Sequence, residues 1–119
     1  MRVRAADLGL TGAMPAHHVE IQITCGSAEE ADSIANALVE RRLAACVQQL
    51  PIRSVFRWEG AIERADEVLL LAKTSRAQYL HIERLVLELH SYDVAAITCT
   101  ELVTGSPSYL GWIDEATTT

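Results

Sequence analysis

Basic residues are scarce in this chain, 10 Lys and Arg against 16 Asp and Glu, which leaves a net charge of −6. Nucleic-acid binding draws most of its affinity from clustered Lys and Arg, so a broad phosphate-binding footprint is excluded. Aromatic side chains are few, 5% of the total, and none falls in the strand-like runs "EIQIT" and "VLLLAK", so the base-stacking platform of an RNA-recognition sheet is missing as well. Cysteine occurs three times, at Cys25, Cys46 and Cys99, an odd and scattered set that does not read as a disulfide framework but as reduced thiols. No apolar run approaches the ~20 residues of a spanning helix, and the N-terminus lacks a positively charged start followed by an unbroken apolar segment. A soluble, cytoplasmic protein is the expectation.

Half of the 119 residues are hydrophobic and 22% are charged, enough apolar surface for one compact core and too little chain for a second domain behind a linker. Residues 1–16, with Gly9, Gly12 and Pro15 and no periodicity, read as a tail. Residues 17–115 read as a single domain and 116–119 as a second short tail. From Val19 the alternation is strict: Val19, Ile21, Ile23 and Cys25 share one face, while Glu20, Gln22 and Thr24 share the other. Ser27 and Glu30 have the spacing of a capping box and open an amphipathic helix with Ala31, Ile34, Ala35, Leu38 and Val39 on one side, closing at Arg42. Val47 to Glu59, with Pro51 suited only to an edge or a bulge, and the run ending in "VLLLAKT" form a long hairpin about Gly60. Ser75 and Gln78 repeat the capping-box spacing before a second helix that ends near His90. Residues 94–103 form a fourth strand, and Ser106 and Pro107 begin a short terminal helix.

The order strand, helix, strand, strand, helix, strand predicts an α+β, ferredoxin-like βαββαβ sandwich with both long helices on one face of an antiparallel sheet. The other face is left open. Apolar and aromatic residues at alternate positions there make association of several copies the expectation.

Several stretches taken in order, "LVERRLAACV", "SVFRWEG", "VLLLAKT", "LELHSYDV" and "GSPSYLGW", resemble the CutA divalent-cation tolerance family from about Ser27 to Ile113. The resemblance implies the same fold, built into a homotrimer whose hairpins reach neighbouring subunits and leave clefts between them. It also implies metal tolerance, chiefly toward copper, with no established reaction. The family pattern "HPYEVPEI" reads here as His90, Ser91, Tyr92, Asp93, Val94, Ala95, Ala96 and Ile97, without the two prolines and the final acid, so a cleft carboxylate is expected to be missing.

Cys46 and His90, with Cys25 as a third donor, are the metal-ligand candidates, for copper or another divalent ion, because thiolate and imidazole together suit these ions. No ligand-motif spacing joins them, and packing is the competing reading of each. Phe56, Arg57 and Trp58 are assigned to the trimer interface, with Phe56 and Trp58 on one face and Arg57 with Glu59 on the other. The inter-subunit cleft is assigned Trp58, Glu59, Lys73, Tyr92, Tyr109 and Trp112, Lys73 being placed to contact an anion or to pair with Glu59; Tyr92, Tyr109 and Trp112 read equally well as fixing the terminal helix. His17 and His18, at the edge of the tail, receive no role.

Other ferredoxin-like functions fail at essential residues. A metal-chaperone CxxC is absent, since Ala28 follows Cys25 by three, and "GSAEE" carries acids where an acylphosphatase-like loop needs cations. No spacing suggests a nucleophile with its base, so no catalytic residue is assigned and the chain is expected not to be an enzyme. Two functions remain: a trimer that binds metal ions, with partners limited to its own copies, metal ions and possible proteins, or a signalling trimer of PII-like architecture that takes a small metabolite or protein in its clefts.

Overall fold

The computed structural model describes residues 17–118, so the tail expected at 1–16 lies outside the described residues. The chain runs β1 (His18–Cys25), α1 (Ala28–Glu40), β2 (Cys46–Trp58), β3 (Ala61–Ser75), α2 (Tyr79–Leu89), β4 (Ile97–Glu101) and α3 (Pro107–Ala116). The sheet order is β2-β3-β1-β4 with every neighbouring pair antiparallel, the ferredoxin-like topology expected from the pattern. Pro51 is tolerated because β2 is an edge strand, where a missing N–H interrupts no second ladder.

Val19, Ile21, Ile23 and Cys25 of β1 are fully buried and meet Ala31, Ile34 and Leu38 of α1 and Ile82, Leu85 and Val86 of α2, so α1 and α2 cover one sheet face. At the start of α1 the Ser27 hydroxyl accepts the Glu30 N–H at 3.1 Å, satisfying one orphan donor of the first turn. The helix closes at Glu40, two residues earlier than its periodicity suggests, because Arg42 turns into the left-handed region at φ 58°. The second capping box does not form: Ser75 makes no side-chain cap and Arg76–Gln78 is a short 3-10 turn. Gln78 is drawn away by the Thr117 carbonyl, to which its side-chain amide donates at 3.3 Å.

Register determines what the other face carries. Cys46 pairs with Lys73, Lys73's row continues to Glu20 and Thr100, and every second residue of β2 from Cys46 to Trp58 therefore points away from α1 and α2. The hairpin closes on Glu59 and Gly60, with φ of 49° and 82°, the two left-handed positions of a tight two-residue turn. Helix α3 returns over one end of this second face, where Tyr109 reaches Cys46 and Asp114 reaches His18. The far end is left to the hairpin arm. The fourth strand is shorter than the 94–103 span expected, since 94–96 curve away from the ladder after a last bond from Thr24 N–H to the Ala96 carbonyl at 3.1 Å. The terminal helix runs to Ala116.

Candidate metal and ligand sites

Two polar constellations lie at opposite ends of the face that α1 and α2 leave uncovered. At the near end Cys46 opens β2, half-buried, with its Sγ 3.9 Å from Tyr109 Oη. Beside it Lys73 Nζ bonds Glu20 Oε1 at 3.0 Å and Gln48 Oε1 at 2.9 Å. The Lys73 ammonium holds the Glu20 carboxyl below its usual range, against the opposing effect of burial. Burial raises the Tyr109 phenol, with Cys46 adding to the effect, and its ring stacks at a tilt on Trp112, 5.7 Å between centroids.

At the far end the hairpin arm and the segment after α2 enclose an open cleft of about 860 Å³, whose walls include Phe56, Trp58, Glu67, Tyr92 and Val94. Glu67 is only 7% exposed and accepts a hydrogen bond from Tyr92 Oη at 2.8 Å. Burial, then this bond, pushes the Tyr92 phenol up to about 12. Tyr92 lies so close to Gly26 that a Cβ there would sit 2.8 Å from its Oη, so the tight approach requires glycine. Glu67 is one of three carboxylates lining this cleft, with Glu63 and Asp93. Its position inside an acidic, alternating strand gave no sign of burial.

Behind the cleft, His90 ends α2 with its side chain 1% exposed. Its Nε2 donates to the Thr24 carbonyl at 2.6 Å, and its Nδ1 accepts the Tyr92 N–H at 3.1 Å while lying 3.3 Å from Glu30 Oε1. Glu30 in turn accepts the Ser91 N–H at 2.8 Å and the Ser91 hydroxyl at 2.9 Å. Burial alone would raise the Glu30 carboxyl, but these two bonds, with a smaller contribution from the Gly26 N–H, leave it below its ordinary value.

A family model described as CutA1 divalent ion tolerance protein matches residues 19–116. The chain belongs to the CutA1 family. It is 42% identical over 98 residues to the divalent-cation tolerance protein CutA of Archaeoglobus fulgidus, covering 82% of this chain and 96% of that one. Mouse protein CutA is 38% identical over 96 residues, 80% of this chain and 54% of its own length. The solved structure of the Archaeoglobus fulgidus protein, described as a periplasmic divalent cation tolerance protein, superposes with a TM-score of 0.84 at 40% identity, covering 85% of this chain and 99% of that one.

Within this CutA1-family chain the three expected metal donors do not meet. Cys25 lies on the helix-covered face and Cys46 on the other, because Cys25 pairs with Val68 whereas Cys46 pairs with Lys73. Cys25 is fully buried, and burial, reinforced by Glu30 and Glu67, pushes its thiol up to about 12. His90 has both ring nitrogens engaged inside the chain. Cys46 is left as the one donor of the three that faces outward from the core.

The expected cleft residues also divide. Trp58 and Tyr92 line the far cleft, while Lys73, Tyr109 and Trp112 gather at the near end, and Glu59 sits in the hairpin turn rather than on a strand beside Arg57. Lys73 therefore pairs with Glu20 and not with Glu59, the full length of the hairpin separating them. Phe56 and Trp58 share the outward face and remain 41% and 42% exposed. Among the described residues, one group of three metal-capable side chains does converge: His17, His18 and Asp114, the two histidines set aside in the sequence and an acid 96 residues after the second.

Proposed function

We propose that this CutA1-family chain is a homotrimer that binds divalent or soft metal ions, copper among them, through Cys46, and that it supports tolerance of those ions without catalysing a reaction. One observation carries the metal reading: register puts the Cys46 thiol on the sheet face away from α1 and α2, half-buried at the end that α3 reaches, with a phenol as its near neighbour instead of the apolar packing that surrounds Cys25. Thiolate donors suit soft and borderline ions. Ligands completing the set come from a neighbouring subunit in this reading, since the chain's own Cys25 and His90 are occupied. The trimer reading rests on the hairpin arm with its exposed Val55, Phe56, Trp58 and Ile62.

The family assignment favours this reading over a PII-like signalling trimer. A cytoplasmic setting is supported by three free cysteines, which an oxidising compartment would tend to pair, although the Archaeoglobus relative is described as periplasmic. No helix among the described residues is long and apolar enough to cross a membrane.

Isothermal titration of the full chain with Cu(I), Cu(II) and Zn(II), repeated on Cys46→Ser, tests the site. Weaker Cu(I) binding in the variant is the expected result. Equal Cu(I) affinity in both proteins removes Cys46 from it.

A further inference from the structure

We propose that His17, His18 and Asp114 form a second cation site, built of two imidazoles and one carboxylate, which takes a borderline divalent ion such as Zn(II) or Cu(II) independently of Cys46. His18 Nε2 lies 2.9 Å and His17 Nε2 3.0 Å from the same oxygen, Asp114 Oδ1, and all three ligand atoms fall within 4.8 Å of one another. Bonds of about 2.0–2.2 Å from Zn(II) to nitrogen and oxygen put neighbouring ligand atoms roughly 3 Å apart, so the two imidazole-to-carboxylate spacings already match those of a bound ion. Only the two rings need to close toward each other.

Adjacent residues in a strand ordinarily point to opposite faces. His17 escapes that rule because it precedes β1, and its carbonyl is held by the Arg76 N–H at 2.7 Å. The His18 carbonyl is held by the Leu102 N–H at 3.0 Å, and the two rings meet edge to face with centroids 4.7 Å apart. Asp114 is equally fixed: its neighbour Ile113 is fully buried, and its own carbonyl accepts the Thr118 hydroxyl at 2.6 Å. Three donors on restrained backbone, with side chains 63%, 14% and 47% exposed for His17, His18 and Asp114, give an ion a way in and leave positions for water.

An ionised carboxylate only accepts, so each ring now donates its Nε2 proton to Asp114. Binding requires each ring to carry its proton on Nδ1 instead, so that both Nε2 lone pairs face the ion. Imidazole and carboxylate donors favour Zn(II), Ni(II), Co(II) and Cu(II) over Cu(I), which sets the site apart in metal preference from the thiol. An ion there would also tie the start of β1 to α3.

The test uses the full chain, with Zn(II) affinity read by calorimetry and Cu(II) ligation by electron paramagnetic resonance. We expect His18→Ala and Asp114→Asn each to weaken Zn(II) binding by at least about tenfold. Cys46→Ser lowers Cu(I) affinity but keeps the two-imidazole nitrogen hyperfine pattern of bound Cu(II), which falls to one imidazole in His17→Ala. The exposure of His17 makes that variant a check which does not depend on the fold tolerating the others. Unchanged Zn(II) affinity in the His18 and Asp114 variants overturns the site, whatever Cys46→Ser does. Loss of the two-imidazole Cu(II) pattern in Cys46→Ser overturns its independence from Cys46.

Discussion

The three cysteines differ because of the face each occupies. Cys25 alternates with valine and isoleucine in β1, and the same alternation that identifies the strand buries its thiol, raising it to about 12. At neutral pH it presents almost no thiolate, the form that attacks thiol reagents. Native protein should therefore leave Cys25 unlabelled while denatured protein releases one further thiol. Labelling of Cys25 in the native state, identified by mass spectrometry, would contradict its burial. The contact of Tyr92 with Glu67 makes a second prediction at this scale. Removing the hydroxyl in Tyr92→Phe strands a buried carboxylate and should cost about 1–3 kcal/mol in chemical denaturation. Gly26→Ala, which pushes on the same ring, should cost about as much. The phenol's ordinary value of 10.0 rises to about 12 in the folded chain, so it favours folding below pH 10, and that contribution is lost as pH climbs toward 12. Tyr92→Phe should flatten this alkaline decline; an unaltered decline would show that other groups cause it. None of this pairing was legible in the sequence, where Glu67 is one acid among several in "IERADEV" and Tyr92 lies 25 residues away.

Strands and helices were legible because their periods are written in consecutive residues, as in Val19 to Cys25 or Ala31 to Leu38. Register was not, and register is what separates Cys46 from Cys25: each face is evident within its own strand, but their relation passes through β3. The cap at Ser75 failed for a similar reason, since a distant carbonyl at Thr117 competes for Gln78. A more telling case is Ser91, which stands where the family pattern has proline. His90 already has φ −79° and ψ 140°, the extended conformation that a following proline demands, so the backbone on that side suits either residue. What serine adds is two hydrogen bonds to Glu30, joining the start of α1 to the end of α2. Ser91→Pro removes both and should destabilise the fold by about 1–3 kcal/mol near neutral pH. Glu30 is held below its ordinary value, so its contribution is present above the unfolded carboxylate range and disappears as pH falls through the lower folded value. The proline variant should accordingly lose less stability on acidification than the parent. Equal stability at neutral pH would mean that the two bonds contribute nothing net.

At the scale of the whole molecule, shape argues for association. The radius of gyration is 15.9 Å and the longest dimension 49 Å, against a radius of about 13 Å for a compact chain of this length. The excess lies in the hairpin arm, whose two strands pair with each other past the point where β1 ends. An isolated two-stranded ribbon is at best marginally stable in water, and this one holds Val55 at 65% and Ile62 at 58% exposure. A neighbouring subunit would supply the missing packing, and buried aromatic side chains usually dominate such contacts, each worth about 2 kcal/mol or more. Sedimentation equilibrium of the parent should give about three times 13.0 kDa, and a Phe56→Glu, Trp58→Glu double variant should shift the mass toward one subunit with a lower midpoint of thermal unfolding. Because these residues lie on the arm and outside the core formed by β1, α1 and α2, circular dichroism of the dissociated variant should keep its helical signal. A parent that sediments as a monomer, with the arm protected from proteolysis, would mean that the ribbon is stable alone and that its exposed aromatics serve the cleft beside Tyr92 instead of a subunit boundary.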